Sequence, residues 1–234
     1  MQEIITLDLG GVNAYLIKEN GCYLLVDTGG PMMLDRPYTN RREVLVQKLK
    51  EHGCEKGNLK LILLTHGDCD HCANAAYLAK EYGALIGMNQ EDLCQVTNLT
   101  PEIYLKSCQF RSLGMKIMFV LLHKLILSVA KVTAERFESF QPNILLGDHD
   151  SLIEYGFSAE IVSLPGHTPG SIGIYTKDKE LICGDLYQGT KKPKLADNAW
   201  DFVQLEMSRK KLKTYEIHKI YPGHGTPFSA SMMP

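Results

Sequence analysis

The sequence predicts an α/β protein in which two similar half-sheets carry helices on their outer sides. Short apolar or alternating stretches bounded by Gly and Asn, which are typical of strands, open the chain. Segments with helical apolar spacing follow them, and strands and then a helix return after Pro142. A chain of 234 residues can bury a substantial core as one domain. We therefore expect a single domain over residues 1–234, with a helical insertion at about 98–140.

The first half of the chain alternates predicted strands and helices. Residues 3–9, 12–18 and 22–26 predict an antiparallel meander of three strands. A surface helix is predicted over 41–53, where a glycine ends it. Residues 59–65 are nearly all apolar, as expected of a strand buried on both faces. A helix over 70–83, a strand over 84–88 and a short helix over 89–96 complete this half.

The segment 98–140 differs in character, because residues 113–137 predict one long helix. At 100° per residue its charged side chains gather on one arc and leave a broad apolar face. Charges interrupt it too often for a comfortable membrane span, which needs about 20 mostly apolar residues. Three interpretations stay open: a helix packed on its own domain or on a second copy in a homodimer, a lid over an apolar substrate, or a helix on a membrane surface. We favour the first and do not expect membrane-surface binding.

The second half of the chain is predicted to return to strands. They are expected at 143–148, 150–156, 158–167, 171–177 and 180–185. A final helix over about 200–214 leads to a last strand at 218–225.

The composition of the chain indicates which kinds of binding partner and which cellular compartment to expect. A net charge of −2 provides no basic field that would attract nucleic acid. The first residues lack the basic and apolar regions of a secretory signal, and the seven cysteines are an odd number. We therefore expect reduced thiols, a cytoplasmic protein and a small-molecule substrate rather than nucleic acid.

Histidines and aspartates follow the ends of several predicted strands, on turns punctuated by Gly or Pro. These residues are His66, Asp68, Asp70, His71, His167, Asp185 and His224. Seven nitrogen and oxygen donors at one sheet edge suit two metal ions better than one, since zinc is usually four-coordinate. Two metal ions about 3.5–4 Å apart can share a hydroxide and hold it against an electrophile.

Five stretches carry a resemblance to a known family: VDTGG (26–30), THGDCDH (65–71), GHTPGS (166–171), CGD (183–185) and YPGHG (221–225). In content and order they resemble the motifs of the metallo-β-lactamase superfamily, whose second motif is usually written HxHxDH. The resemblance covers nearly the whole chain. It implies a four-layer αββα sandwich, here with a helical insertion, and a two-metal site.

The resemblance also implies a role for each residue of the site. His66, the residue at 68 and His167 would hold the first metal. Asp70, His71 and His224 would hold the second, and Asp185 would bridge the two. A bridging hydroxide would be the nucleophile, and Asp70 would orient it or accept its proton. Asp27 would orient a ligand through a hydrogen bond.

Asp68 departs from the family pattern, which has a histidine there. A carboxylate adds one negative charge and favours harder ions such as iron or manganese; the flavodiiron branch of the superfamily also has a carboxylate at this position. We expect two divalent metal ions, zinc or iron/manganese. Asp68 would ligate directly, at a shifted metal position, or through water.

Other residues near the motifs leave alternatives open. Tyr187 either donates a hydrogen bond to the substrate or is an ordinary packed tyrosine. Cys69 and Cys72 are either structural thiols or a redox pair. Lys191, Lys192 and Lys194 either bind an anionic substrate group or lie in a solvated loop.

The expected function is hydrolysis of an ester, thioester or lactone, as the resemblance to the glyoxalase II and lactonase branch implies. One alternative is a non-haem iron redox enzyme of oxygen or persulfide chemistry, which Asp68 suggests. Phosphodiester hydrolysis is another, because the same hydroxide attacks phosphorus. A metal-binding or membrane-associated interaction protein without catalysis is the third.

Overall fold

The structure is a computed structural model that describes residues 2–33, 35, 39–189 and 192–234. Lys191 of the predicted basic cluster lies outside these residues. Lys192 and Lys194 are both exposed to solvent.

In the described residues, the first sheet has six strands that follow one another in chain order. They are β1 (Glu3–Asp8), β2 (Asn13–Glu19), β3 (Cys22–Val26), β4 (Leu59–Leu63), β5 (Leu85–Met88) and β6 (Ile144–Leu145). The strands β1 to β3 pair antiparallel, which confirms the predicted meander. The strands β3 to β6 pair parallel, so their carboxyl ends meet at one edge of the sheet.

The second sheet also has six strands within the described ranges. They are β7 (Ala159–Ser163), β8 (Ile172–Thr176), β9 (Glu180–Gly189), β10 (Lys194–Leu195), β11 (Lys219–Gly225) and β12 (Phe228–Ser229). Their order is β12-β11-β9-β8-β7, and β10 pairs with β9. The prediction of a strand at 150–156 is wrong, because Ile153–Tyr155 forms a 3₁₀ turn. The amides of Tyr155 and Gly156 bond to the nearby carbonyls of Leu152 and Ile153 and so are not available to a sheet.

Seven α-helices connect or flank the strands in the described residues. They are α1 (Arg42–Glu51), α2 (Cys69–Cys72), α3 (Ala75–Tyr82), α4 (Leu93–Thr97), α5 (Pro101–Lys106), α6 (Leu113–Arg136) and α7 (Phe202–Leu212). The single helix predicted over 70–83 is two helices, because the backbone leaves helical geometry at Asn74. The Asn74 side-chain amide donates to the carbonyls of Thr28 (2.9 Å) and Asn40 (2.7 Å).

The layers follow from the alternation of side chains along the strands. In β2, Tyr15 and Ile17 belong to the apolar core between the two sheets, together with Ile174 of β8. Ala14 and Leu16 face the opposite way, into a core shared with α1 and α3. A third core packs α7 against the outer face of the second sheet. The order helix, sheet, sheet, helix confirms the four-layer αββα sandwich.

The insertion contains α5 and the 24-residue α6. Ile126, Ala130 and Thr133 of α6 are buried, whereas Val120 and Leu121 are 73% and 78% exposed. The most apolar part of the helix has a mean hydropathy of 1.8. By length and composition alone α6 passes for a membrane span, despite its charges, and one such helix is weak evidence for a membrane protein.

Candidate metal centre

The seven predicted ligands come from strands of both sheets and from the turns that follow strands. The turn after β4 and the short helix α2 supply His66, Asp68, Asp70 and His71. The turn after β7 supplies His167, and Asp185 lies within β9. The strand β11 runs parallel to β9 with two register shifts around Pro222. Such bulges re-aim side chains, and here His224 points towards Asp185.

The structure brings all seven side chains together. Their donor atoms form three groups, and within each group the atoms lie within 4.8 Å of one another. The groups are His66, Asp68 and His167; Asp70, His71 and His224; and His66, His71 and Asp185.

Asp185 lies between the first two groups. Its Oδ1 is 3.4 Å from Nε2 of His71. Its Oδ2 is 3.2 Å from Nε2 of His224 and 3.7 Å from Nε2 of His167. One carboxylate therefore faces histidines of both groups, which is the geometry that a bridging ligand requires.

Every histidine of the centre has its Nδ1 atom held by an oxygen. The partners are Thr65 Oγ1 for His66 (2.9 Å), Asp27 Oδ2 for His71 (2.8 Å), the Asn198 carbonyl for His167 (3.1 Å) and the Gly11 carbonyl for His224 (2.6 Å). Carbonyl and carboxylate oxygens only accept hydrogen bonds, so in the neutral rings the proton is on Nδ1. The Nε2 lone pairs then face the centre, as in metal-binding histidines.

Asp27 supports both halves of the centre. Its Oδ2 accepts from His71 Nδ1 and from the Thr65 hydroxyl at 2.8 Å, and its Oδ1 accepts from the Thr65 amide. Because the hydroxyl proton of Thr65 goes to Asp27, the hydroxyl oxygen can only accept from His66 Nδ1. The orienting hydrogen bond predicted for Asp27 is present, and it reaches two histidines rather than one.

Within the part of the chain that the structure describes, two buried polar atoms at the centre have no hydrogen-bond partner: Nε2 of His66 and Oδ1 of Asp185. Burying such atoms without a partner is costly. A Cβ on Gly223 would lie 2.1 Å from Oδ1 of Asp185 and 2.6 Å from Cε1 of His71, so only glycine fits there. Imidazole nitrogens and carboxylate oxygens are ligands of zinc, iron and manganese. The residues therefore fit a divalent metal centre.

The carboxylates of the centre favour the binding of positive charge. Burial lowers the pKa of His71, but Asp185 and Asp27 outweigh burial and raise it to about 9. Burial likewise lowers the pKa of His167, but the effects of Asp68 and Asp185 are larger and raise this pKa to about 9. Despite burial, His224 and His71 hold the pKa of Asp185 well below its usual range. The carboxylates thus stabilise positive charge here, whether on protonated imidazole or on a metal ion.

Asp68 presents only one of its two oxygens to the centre. Its Oδ2 is 3.1 Å from Nε2 of His167 and 3.9 Å from Nε2 of His66. Its Oδ1 accepts hydrogen bonds from Gln95 Nε2 (2.7 Å) and from the Ser107 hydroxyl (2.6 Å).

Sequence reasoning missed Asp92, which joins the turns that carry His66 and His167. It is fully buried and accepts from the amides of Gly67 and Gly170 and from the Thr168 hydroxyl. Burial raises the pKa of Asp92 to about 6, although these three hydrogen bonds lower it. In the sequence Asp92 is only one of two acidic residues at a helix start, so no motif marked it.

The structure does not bring Tyr187 into the centre. Its ring is buried in the core around α7 and contacts Phe228 edge-on, with the ring centroids 6.0 Å apart. Cys69 and Cys72 are also buried, and burial raises the pKa of both thiols well above the usual value. A protonated thiol is a poor nucleophile, so their setting is that of structural thiols.

A cavity of about 170 Å³ opens beside the metal-ligand candidates. Asp68, Asp70, Asp185 and His224 line it. The insertion also contributes lining residues, namely Leu99, Tyr104, Ser107, Cys108 and Phe110. The insertion therefore helps to form the cavity and is not a separate appendage.

Comparison with known proteins agrees with this geometry. Residues 7–224 match the metallo-beta-lactamase superfamily. A hydroxyacylglutathione hydrolase, GloC, of Haemophilus influenzae is 31% identical over 151 residues, or 63% of this chain and 58% of that protein. This chain thus spans less than two thirds of that relative's length.

Solved structures show the same fold. A metallo-beta-lactamase family protein of Thermus thermophilus superposes with a TM-score of 0.70 at 22% identity, over 97% of this chain and 74% of the other. The BLEG-1 B3 metallo-beta-lactamase superposes with a TM-score of 0.68 at 20% identity, over 99% of this chain and 95% of the other. The match over residues 7–224, together with the fold and the clustered His and Asp side chains, establishes that this chain belongs to the metallo-β-lactamase superfamily.

Proposed function

We propose that the protein is a dinuclear metal-dependent hydrolase that cleaves an ester, thioester or lactone of a small molecule. The observation that carries the proposal is the pair of His/Asp groups that share Asp185 beside a cavity. The hydrolase name of the Haemophilus relative supports a hydrolytic reaction.

The two metals would each be held by three side chains and would share Asp185. His66, Asp68 and His167 would hold the first, and Asp70, His71 and His224 the second. Divalent metal ions bound in this way activate water at neutral pH and polarise the substrate carbonyl.

The protein's own residues orient the ligands and accept a proton. The Nδ1 partners fix all four imidazoles, so that little reorganisation is needed during the reaction. Burial raises the pKa of Asp70, but His71 and His224 outweigh burial and lower it. Asp70 is therefore ionised at neutral pH and can accept the proton of the attacking water.

The cavity favours an apolar acyl group. Met33, Leu99, Tyr104 and Phe110 give it an apolar wall. Among the described residues, the lining includes no lysine or arginine. A neutral apolar chain would bury its surface there, at about 25 cal/mol per Å².

We also place the protein in the cytoplasm. All seven cysteines are free thiols, and thiols persist in reducing compartments.

The experiment combines metal analysis with a substrate panel. Anaerobically purified protein would be analysed for zinc, iron and manganese and then assayed with thioester, lactone and phosphodiester substrates. We expect two metal ions per chain and turnover of a thioester, ester or lactone. Asp185→Asn should abolish turnover and lower the metal content. Asp178→Asn, which changes an exposed aspartate in the turn before β9, should change neither.

Three results would refute the proposal. Full activity of Asp185→Asn would show that Asp185 is not a ligand shared by the two metal ions. Iron with oxygen consumption and no hydrolysis would favour a redox enzyme, and turnover of phosphodiesters alone would favour a phosphodiesterase.

A further inference from the structure

The network behind Asp68 connects the insertion to the first metal group. Ser107, which follows α5, donates its hydroxyl proton to Oδ1 of Asp68 at 2.6 Å. The same hydroxyl accepts from the indole Nε1 of Trp200 at 2.9 Å. On α4, Gln95 donates a second hydrogen bond to Oδ1 at 2.7 Å.

These hydrogen bonds saturate one oxygen of the Asp68 carboxylate. A carboxylate oxygen has two lone pairs, and on Oδ1 both are used. Gln95 is buried, and the Asp68 side chain is 15% exposed. Only Oδ2 is left to face His66 and His167.

Ser107 also supports the other side of the first metal group. Its carbonyl accepts from Asn198 Nδ2 at 3.0 Å, and the Asn198 carbonyl accepts from His167 Nδ1. The amide of Trp200 donates to the His167 carbonyl at 2.9 Å. Ser107 and Trp200 therefore belong to the hydrogen-bond network that holds both Asp68 and His167.

We propose that Ser107, backed by Trp200, and Gln95 are positioning residues that restrict Asp68 to one-oxygen ligation of the first metal through Oδ2. An unrestricted aspartate can bind a metal through both oxygens. Held in this way, Asp68 offers a single donor atom, as the histidine of the family motif does. The inference rests on the proposed metal centre, but not on the substrate.

The network contains its own reporter, because Trp200 is the single tryptophan of the chain. Occupancy of the first metal site should change the Trp200 fluorescence through Ser107. Metal-free protein would be titrated with Zn²⁺ alone, with fluorescence as the readout. A parallel titration with Co²⁺ would record visible absorption, which reports the coordination number.

We expect Ser107→Ala to weaken one of the two Zn²⁺ sites by about 10–100-fold, the usual effect of losing a hydrogen bond behind a metal ligand. The other site should keep its affinity. The Co²⁺ spectrum should shift as Asp68 becomes free to bind through both oxygens. Ser107→Thr keeps the hydroxyl and should restore both the affinity and the spectrum.

Ser112→Ala is the matched control. Ser112 lies on the same insertion and donates to a carboxylate, Asp197 Oδ2 (3.1 Å), that is not a metal-ligand candidate. This variant removes a helix cap and should leave both metal sites unchanged. If Ser107→Ala does not fold, Gln95→Met removes the other donor to Oδ1 with little change in shape and should give the same shift.

Wild-type affinities and an unchanged Co²⁺ spectrum in folded Ser107→Ala or Gln95→Met would overturn the inference. Hydrolysis, assayed separately, distinguishes the two proposals. Metal effects without hydrolysis refute the proposed reaction alone, and hydrolysis without metal effects refutes the positioning role alone. A wild-type protein that binds neither Zn²⁺ nor Co²⁺, and that carries no iron or manganese in the metal analysis, refutes both.

Discussion

At the scale of the residue, Asp27 determines how two histidines present their nitrogens. It adopts a left-handed conformation with φ 61° at the end of β3, which places its carboxylate between His71 and Thr65. Asn tolerates this conformation better than most residues. Asp27→Asn therefore keeps the backbone while it changes the hydrogen-bonding character of one side-chain atom.

We predict that Asp27→Asn weakens metal binding by about 10–100-fold. An amide NH₂ in place of Oδ2 is a hydrogen-bond donor and cannot accept from His71 Nδ1. His71 would then carry its proton on Nε2, and that nitrogen could no longer bind a metal ion. Zn²⁺ titration of the metal-free variant measures the effect. Thr65→Val is the comparison: it removes the partner of His66 Nδ1 and one hydrogen bond to Asp27, but it leaves the bond between Asp27 and His71 in place. It should therefore weaken the first metal site more than the second. Unchanged Zn²⁺ affinity in Asp27→Asn would contradict the role of Asp27.

Individual residues also show what a sequence can reveal about a site. His66, His167 and His224 could be proposed because each stands on a turn or bulge near a strand end, within a recognisable motif. Asp92, Ser107 and Trp200 could not, because each acts through hydrogen bonds to residues far away in the sequence. Such contacts depend on the packed structure and leave no local pattern.

At the scale of the element, most strands and helices follow from apolar periodicity, and the errors have local causes. The predicted helix over 70–83 is interrupted because Asn74 bonds to backbone carbonyls of neighbouring loops. A strand is predicted over 150–156, but the segment is irregular, and its Leu152, together with Phe157 just after it, fills the core between the sheets. Periodicity reports burial, and burial does not require regular structure.

Gly223, in β11, yields a prediction about that element. Gly223 lies where a Cβ would clash with Asp185 and His71, so Gly223→Ala should displace ligands of both metals. We expect metal content to fall severely while far-UV circular dichroism stays near that of the wild type. Gly114→Ala is the matched control, because on α6 its Cβ meets nothing within 4 Å.

Gly114→Ala should leave metal content unchanged and raise the free energy of unfolding by about 0.5–1 kcal/mol, since alanine favours helix. Normal metal content in Gly223→Ala would mean that the ligands can move aside without loss. The prediction of close packing at this edge would then be wrong.

At the scale of the whole molecule, the insertion provides the wall of the cavity and the support of Asp68, but much of α6 itself faces solvent. The prediction that this segment joins two copies in a homodimer stays a prediction. The sequence predicts the apolar face of α6 but not its exposure to solvent. Apolar periodicity does not indicate what such a face packs against.

The charge balance of the molecule links metal binding to pH. In the metal-free fold, burial lowers the pKa of His71 and His167, but neighbouring carboxylates raise both to about 9, above the value of about 6.5 for an unfolded chain. Their contribution to the free energy of unfolding is therefore complete below about pH 6.5 and is lost as pH rises through 9. A metal ion needs both rings deprotonated, so its binding at pH 7 releases protons.

We predict opposite effects of pH on the metal-free protein and on the stabilisation by Zn²⁺. The Tm of the metal-free protein should fall between pH 6.5 and 9. Each proton displaced tightens Zn²⁺ binding about tenfold per pH unit, which is about 1.4 kcal/mol. The difference in Tm between Zn²⁺-loaded and metal-free protein should therefore widen over the same range. Thermal unfolding at constant free Zn²⁺ measures it, and a difference that does not change with pH would show that these two histidines are not protonated in the metal-free centre.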